Sequence, residues 1–476
     1  MSAAQASEGG YRRSLQIQLL SSLAGSVTRF GVSLVLARLL LPAELGLFAM
    51  AAALAGLVQL ACGLGLSAWL QRAGPLEEAA WRACLGLLVA ATGGALLVQA
   101  GLAGWAARHF GQPALRELLW VLSLGLLATP VSVTMSALLQ RDYAAGRIAA
   151  VSRLGALAHA LAAVGLAAAG WGALALACAQ VLNNLVCAAA YWGLRPAALR
   201  WQPTLRGSRP LLRFALPMLA GQGLAALNQA LPALLLGRLG SAAQVGWMAR
   251  AQGLVGLLQA VIGGVMNFGA LRRFSHADRA VVAARLLQAT ALLTGLAWPV
   301  LALTVVLREP LIDALYGPAW HASAAAVPPL ALALALSLLS NYVAPLLAAQ
   351  GRPGRMAGLE LLQLLARGGL VLLLFDGTLS AFAWALAWAA VLVTPLQLHG
   401  LMRQLGLAWW RLLPALAPAA ATAGGVAVVT AWARPLGPGL AALSGGLAML
   451  ALLAALHRPW RAELRQLARL RMTSRK

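Results

Sequence analysis

Arg29, Arg153, Arg250 and Arg367 each interrupt a long run of apolar residues. An arginine in such a place does one of two things. Its planar fork of donors can bind phosphate inside a protein or a watery cavity. Alternatively, its stem lies along the helix while the head reaches the membrane interface. A charge held near the bilayer centre costs about 2.5–3.5 kcal/mol or more, so an arginine that stays deep marks a candidate anion site. Arg29 and Arg367 lie deepest in their runs and read as cavity residues. Arg153 and Arg250 fit either reading, and Arg213, near the start of its run, reads as interfacial.

Acids are nearly absent from the same runs. Glu360 is the exception, and it reads as an ion-pair partner for Arg355 or another arginine rather than as a proton relay. Cavities lined by arginine with so little acid suit an anion, whereas an organic cation would call for buried carboxylates. Gln222, Asn228 and Asn341 add polar groups that could meet neighbouring helices or sugar hydroxyls. Soluble-enzyme signatures are missing: no Gly-rich phosphate loop with lysine, no HExxH, no GxSxG and no carboxylates at catalytic spacing. The chain therefore reads as a non-enzyme that needs no cofactor and no metal. Cys62, Cys84, Cys178 and Cys187 all fall in apolar stretches without a CxxC pair, as small buried hydrophobes do.

The elements that must position these residues are transmembrane helices. The chain is 61% hydrophobic and 10% charged, far from the roughly 25% charged residues of soluble domains. Its apolar runs are about 20–25 residues long, enough to cross ~30 Å of hydrocarbon as helices. About fourteen spans are predicted on a ~19-residue window. They cover 14–37, 44–68, 83–106, 117–139, 148–169, 172–193, 212–236, 243–268, 284–307, 323–349, 356–375, 379–401, 412–432 and 437–457. The amino terminus lacks the pattern of a cleaved signal peptide.

The net charge of +24 would suggest nucleic acid in a soluble protein. Alternating the spans places it differently. Arg12, Arg72, Arg82, Arg141, Arg195, Arg200, Arg272, Arg352, Arg355 and the tail "RPWRAELRQLARLRMTSRK" fall on one side, and few arginines fall on the other. By the positive-inside rule both termini are cytoplasmic, and the basic residues face a membrane surface, with no nucleic acid implied. Trp69, Trp81, Trp105, Trp192 and Trp432 lie near span ends and read as interfacial anchors.

An internal repeat organises the spans. Residues 31–72 slide onto 231–272 at a fixed offset of 200, pairing Arg38/Arg238, Gly46/Gly246, Gly56/Gly256, Gln59/Gln259, Gly63/Gly263 and Arg72/Arg272. A second echo pairs "AGRIA" at 145–149 with "PGRMA" at 353–357. The expected architecture is all-α: a six-helix bundle over 1–209, a second over 210–405 in the same orientation, and two additional helices with a basic tail over 406–476.

"LARLLLPAELGLFAMAAAL", "GLGLSAWLQR", "LLGRLGSAAQVGWMARA", "LIDALYGPAWHASAAAVPPLAL" and "LLAAQGRPGRM" occur in order across residues 14–400. In this the chain resembles the bacterial polysaccharide biosynthesis flippases of the O-antigen and colanic-acid exporter type. These belong to the multidrug/oligosaccharidyl-lipid/polysaccharide exporter superfamily. The resemblance implies two bundles around a central cavity that opens alternately to each side of the inner membrane. It implies a lipid-linked oligosaccharide substrate, carried on undecaprenyl pyrophosphate and moved to the periplasmic leaflet for lipopolysaccharide O-antigen or exopolysaccharide export. A polysaccharide polymerase and export machinery would be the partners beside membrane lipid. The family has no tight motif that assigns individual residues, so Arg29, Arg367, Arg153 and Arg250 stand as pyrophosphate candidates on physical grounds. A multidrug exporter of the same superfamily is the alternative, and a membrane glycosyltransferase or polymerase a more distant one.

Overall fold

The computed structural model describes residues 25, 28–63, 65–72, 77–196, 200–266, 279–343, 347, 353–406, 408, 410 and 412–456. The first 24 residues and the basic tail beyond 456 lie outside them. All regular structure in the described residues is helical. Among the described residues eleven helices are long and apolar enough to cross a membrane, or twelve if the bent segment over 209–239 counts as one span. Fourteen were expected, and of those 14–37, 243–268 and 323–349 lie partly outside the described residues, with 44–68 and 437–457 each missing one residue.

The chain forms two compact units, Met1–Ala249 and Arg250–Lys476. The first begins with α1 (28–39), α2 (Pro42–Gly63), α3 (Leu66–Arg72) and α4 (Glu78–His109). It continues through α5 (Ala114–Leu124), α6 (Thr129–Arg141), α7 (Ala145–Ala168), α8 (Ala173–Gly193) and α9 (Arg209–Leu239), and the unit boundary falls within α10 (Ala242–Met266). The expected break between the fifth and sixth spans is a tight turn through Gly170 and Gly172, both at positive φ, where glycine carries no Cβ penalty. Two spans are not single helices. Span 44–68 breaks at Gly65, and span 117–139 tightens to a 3-10 turn over Gly125–Ala128 before Pro130. At Gly125 a Cβ would crowd the Asn184 side chain from α8, so the glycine lets that amide in.

Small residues set the packing, as expected where lipid and core are equally apolar. α7 packs extensively on α8. At their contact Gly155 leaves room for Cys187 and Asn183, and Cys187 Sγ donates to the Val151 carbonyl. Asn183 and Gln180 both donate to Asn184 Oδ1, at 3.2 and 3.1 Å, so these polar residues satisfy one another within the unit. Trp81 corrects an expectation. It is fully buried among Leu85, Leu88 and Met135 rather than anchored at an interface. Its indole N–H donates to the Arg200 carbonyl, Arg82 Nε donates to the Gln202 carbonyl, and the Arg82 carbonyl accepts from the Thr204 amide, which straps the segment before α9 onto the start of α4. Trp105 and Trp432 are exposed, as anchors should be.

The second unit contains α11 (Arg279–Val306), α12 (Arg308–Leu315), a 3-10 stretch (Pro318–Ala326) and α13 (Val327–Ser337). α14 (Pro353–Leu374), α15 (Leu379–Leu405), α16 (Leu413–Ala433) and α17 (Pro438–Leu456) complete it. Its core joins Leu293, Ala297 and Leu301 of α11 to Leu334, Leu338, Leu401 and Met402. The two helices beyond the repeat are part of this unit, α16 lying along α11 and α17 against α16. Glu309 at the start of α12 pairs with Arg308 and with Arg434, between α16 and α17.

The turn into α15 is built by its sequence, Asp376-Gly377-Thr378. Asp376 accepts from the Thr378 hydroxyl at 2.7 Å and its amide at 2.9 Å, and Thr378 caps the helix by accepting from the Ala381 amide. The Thr378 hydroxyl first, and its amide second, hold the exposed Asp376 carboxyl below the usual aspartate range. A depressed folded value means the contribution is complete above about 3.9 and lost as pH falls through the lower folded value. Asp376→Asn is therefore expected to remove part of the acid dependence of the melting temperature below about pH 4 and little at pH 7; identical acid melting curves would contradict it.

Candidate functional site

The repeat becomes physical where α2 and α10 begin. Each starts one residue after a tight turn, and each carries its own cap. Glu44 Oε2 accepts from the Leu41 amide at 2.8 Å. Two hundred residues on, Gln244 Oε1 accepts from the Ser241 amide at 2.9 Å, and Ser241 Oγ accepts from the Gln244 amide at 3.2 Å. This is a capping box, satisfying amides that a helix start leaves without partners. The two starts then pack reciprocally within the first unit. A Cβ on Gly46 would overlap the Ala242 carbonyl oxygen, and one on Gly246 would overlap the Pro42 carbonyl oxygen. Pro42 and Ala242 are themselves repeat partners, so the contact has local two-fold symmetry. Gly237 extends the seam by making room for the thioether of Met50.

Four residues along α10 the symmetry breaks. Met50 is fully buried, and its repeat partner is Arg250. Arg250 is 6% exposed, yet it carries a guanidinium where the first repeat has a thioether. That guanidinium lies over two rings of the second unit, 4.8 Å from the centroid of Trp320 and 5.3 Å from that of Tyr316. Both rings are buried. Desolvated cation–π contacts of this kind contribute about 2 kcal/mol or more, and they orient the group without consuming its in-plane donors. Among the described residues no carboxylate pairs with Arg250, and its Nε has no hydrogen-bond partner. The site is thus a buried, oriented cation with hydrogen-bonding capacity to spare, which is what an anion receptor requires.

The aromatic half of this arrangement was not singled out from sequence. Tyr316 precedes Gly317, at φ 98°, and Trp320 follows in the 3-10 stretch. Phe110 stands the same way before Gly111, at φ 63°, so an aromatic–glycine turn ends a helix in each half. That shared turn was the available signal.

The other candidates are spread over different helices. Arg367 is half-buried on α14, two turns after Glu360 on the same helix face and within electrostatic reach of it. Arg29 is exposed on α1. Arg153 is exposed on α7, with Nε folded back onto the Ala149 carbonyl at 3.2 Å. Asn228 is buried within α9, whereas Gln222 and Asn341 are exposed. Among the described residues no group of His, Cys, Asp or Glu could hold a metal ion.

Eleven or twelve apolar helices long enough to span a bilayer and a repeat joined at its helix starts define a polytopic membrane-protein fold, with one buried, oriented arginine among the described residues. Residues 35–325 match the family model described as "Polysaccharide biosynthesis protein", and the chain belongs to that family. No curated protein matches it by sequence. Among solved structures it is similar to the lipid II flippase MurJ in an inward closed conformation. The two share 11% identity and a TM-score of 0.74, over 95% of this chain and 98% of that one. It is also similar to an inward-facing multidrug resistance MATE family transporter of the MOP superfamily. There the identity is 17% and the TM-score 0.57, over 81% of this chain and 94% of that one. At these identities the likeness is one of fold.

Proposed function

We propose that the chain is a flippase that moves an undecaprenyl-pyrophosphate-linked oligosaccharide from the cytoplasmic to the periplasmic leaflet by alternating access. It would serve cell-surface polysaccharide export from the bacterial inner membrane, with both termini in the cytoplasm. Membership of a polysaccharide biosynthesis family and the MurJ-like fold support the reading. The observation that carries it is Arg250, buried, stacked on Tyr316 and Trp320, and unpaired with any carboxylate among the described residues. A pyrophosphate offers that guanidinium the charge and acceptors it lacks. Arg29, Arg367 and Arg153 would supply further positive charge along the substrate's route, with Glu360 orienting Arg367. Asn228, Gln222 and Asn341 are the candidates for sugar contacts. In this role the protein carries out no bond chemistry, and polymerase and export machinery would act on its product.

The test is reconstitution. Proteoliposomes carrying a fluorescent polyprenyl-pyrophosphate oligosaccharide should show accelerated exchange between leaflets. Arg29→Ala with Arg367→Ala should slow it by about tenfold or more, the scale of a lost hydrogen bond to a charged group. Transport of a cationic dye, with no exchange of the pyrophosphate lipid, would instead establish the multidrug reading.

A further inference from the structure

A separate cavity of about 300 Å³ lies in the second unit between α14 and α15, at the low end of the size range of ligand sites. Two glycines open it. Gly358 and Gly400 both line it, and a Cβ on either would meet nothing within 4 Å. Buried Leu347 and Leu401 line it too, and the polar groups on its wall are Arg355 and Gln397. Arg355 is exposed, in the first turn of α14, and among the described residues no carboxylate pairs with it.

The surroundings indicate the source of an occupant. Within its span, 354–374, only 6% of an 18-residue stretch is buried, the least of any span among the described residues. Leu361, Leu365, Leu392 and Leu396 add exposed apolar surface on the two helices that form the slot. A protein surface this apolar is covered by hydrocarbon, so the slot is filled from the bilayer. Arg355 also stands at the end of the unit where α14 starts and α15 finishes, among Arg352, Arg403 and Arg411 in the sequence. This is the arginine-rich side, where anionic headgroups gather near basic residues.

We infer that the slot seats one acyl chain of an anionic phospholipid, with the lipid phosphate on Arg355 and Gln397. The chain is held by van der Waals contact with the groove wall, and the guanidinium selects the headgroup by charge. The site is distinct from Arg250 and does not depend on what the protein transports. Native mass spectrometry of the full chain tests it, with phosphatidylglycerol and phosphatidylcholine offered in equal amounts. The wild type should retain one phosphatidylglycerol in preference to phosphatidylcholine. Arg355→Gln should reduce that preference about fivefold, the scale of one basic residue at a charged surface, and Arg355→Lys should preserve it. Gly400→Leu should fill the slot and abolish retention while leaving the melting temperature unchanged, because its side chain enters open space. Equal retention of the two lipids by the wild type would overturn the inference. So would undiminished retention in Gly400→Leu, or an unaltered preference in Arg355→Gln.

Discussion

Replacing Arg250 with methionine, the residue its own repeat partner carries, should cut transport of a pyrophosphate-linked lipid by about 10–100-fold without lowering stability. Two forces set this outcome. The guanidinium is 6% exposed, so its burial carries a desolvation cost that two aromatic faces offset only in part. Replacing a buried charge by an apolar side chain of similar volume is commonly neutral or stabilising by about 1–4 kcal/mol. Methionine is flexible enough to lie against Tyr316 and Trp320, and sulfur–aromatic contacts recover part of the lost attraction. Transport, by contrast, would lose charge-assisted hydrogen bonds worth about 1.5–3 kcal/mol to the moving anion. The measurement pairs a melting curve of the purified protein with the leaflet-exchange assay. A lower melting temperature with transport retained would make Arg250 a structural clamp and remove it from the substrate's route. Arg250→Lys separates charge from shape: an ammonium keeps the charge and the cation–π contact but lacks the bidentate fork, so it should restore transport only in part.

Gly46→Val should produce the largest loss of stability, about 3 kcal/mol or more, and Gly246→Val should match it. In each the new side chain meets backbone, the carbonyl of Ala242 or of Pro42, which cannot turn aside as a side-chain end can. Overpacking of a fitted contact costs about 1–3 kcal/mol even when side chains give way. The two substitutions act on one reciprocal contact, so the double variant should lose less than the sum. Gly56→Ala and Gly256→Ala are the controls. They share the repeat register, but a Cβ at either meets nothing within 4 Å, so each should be neutral or stabilising by up to about 1 kcal/mol. Equal melting temperatures for Gly46→Val and Gly56→Ala would show that the seam does not hold the fold together.

Much of this architecture was legible in the residues themselves. A bilayer has one thickness, so apolar runs of fixed length announce helices, and the expected spans over 148–169, 172–193, 379–401 and 437–457 lie within a few residues of α7, α8, α15 and α17. The glycine and arginine coincidences at an offset of 200 likewise set α2 in register with its repeat counterpart, and the structure then showed their starts packed together. Composition could not say which way a helix turns in a membrane. The spans are apolar on nearly every face, and the amphipathic stripe that marks the buried side of a soluble helix is weak or absent. Arg153 and Arg250 therefore looked alike in sequence. The neighbours decided that one folds back on the Ala149 carbonyl of its own helix while the other is enclosed by Tyr316 and Trp320. Trp81 shows the same limit, since its place at a span end fitted an interfacial anchor until the strap through Arg200 covered it. The sequence by itself determined that the chain is a series of apolar helices of membrane-crossing length and where it repeats, because hydrocarbon selects for length and hydropathy. Only the tertiary structure decided which charges are buried and oriented, because that depends on side chains brought together from distant helices.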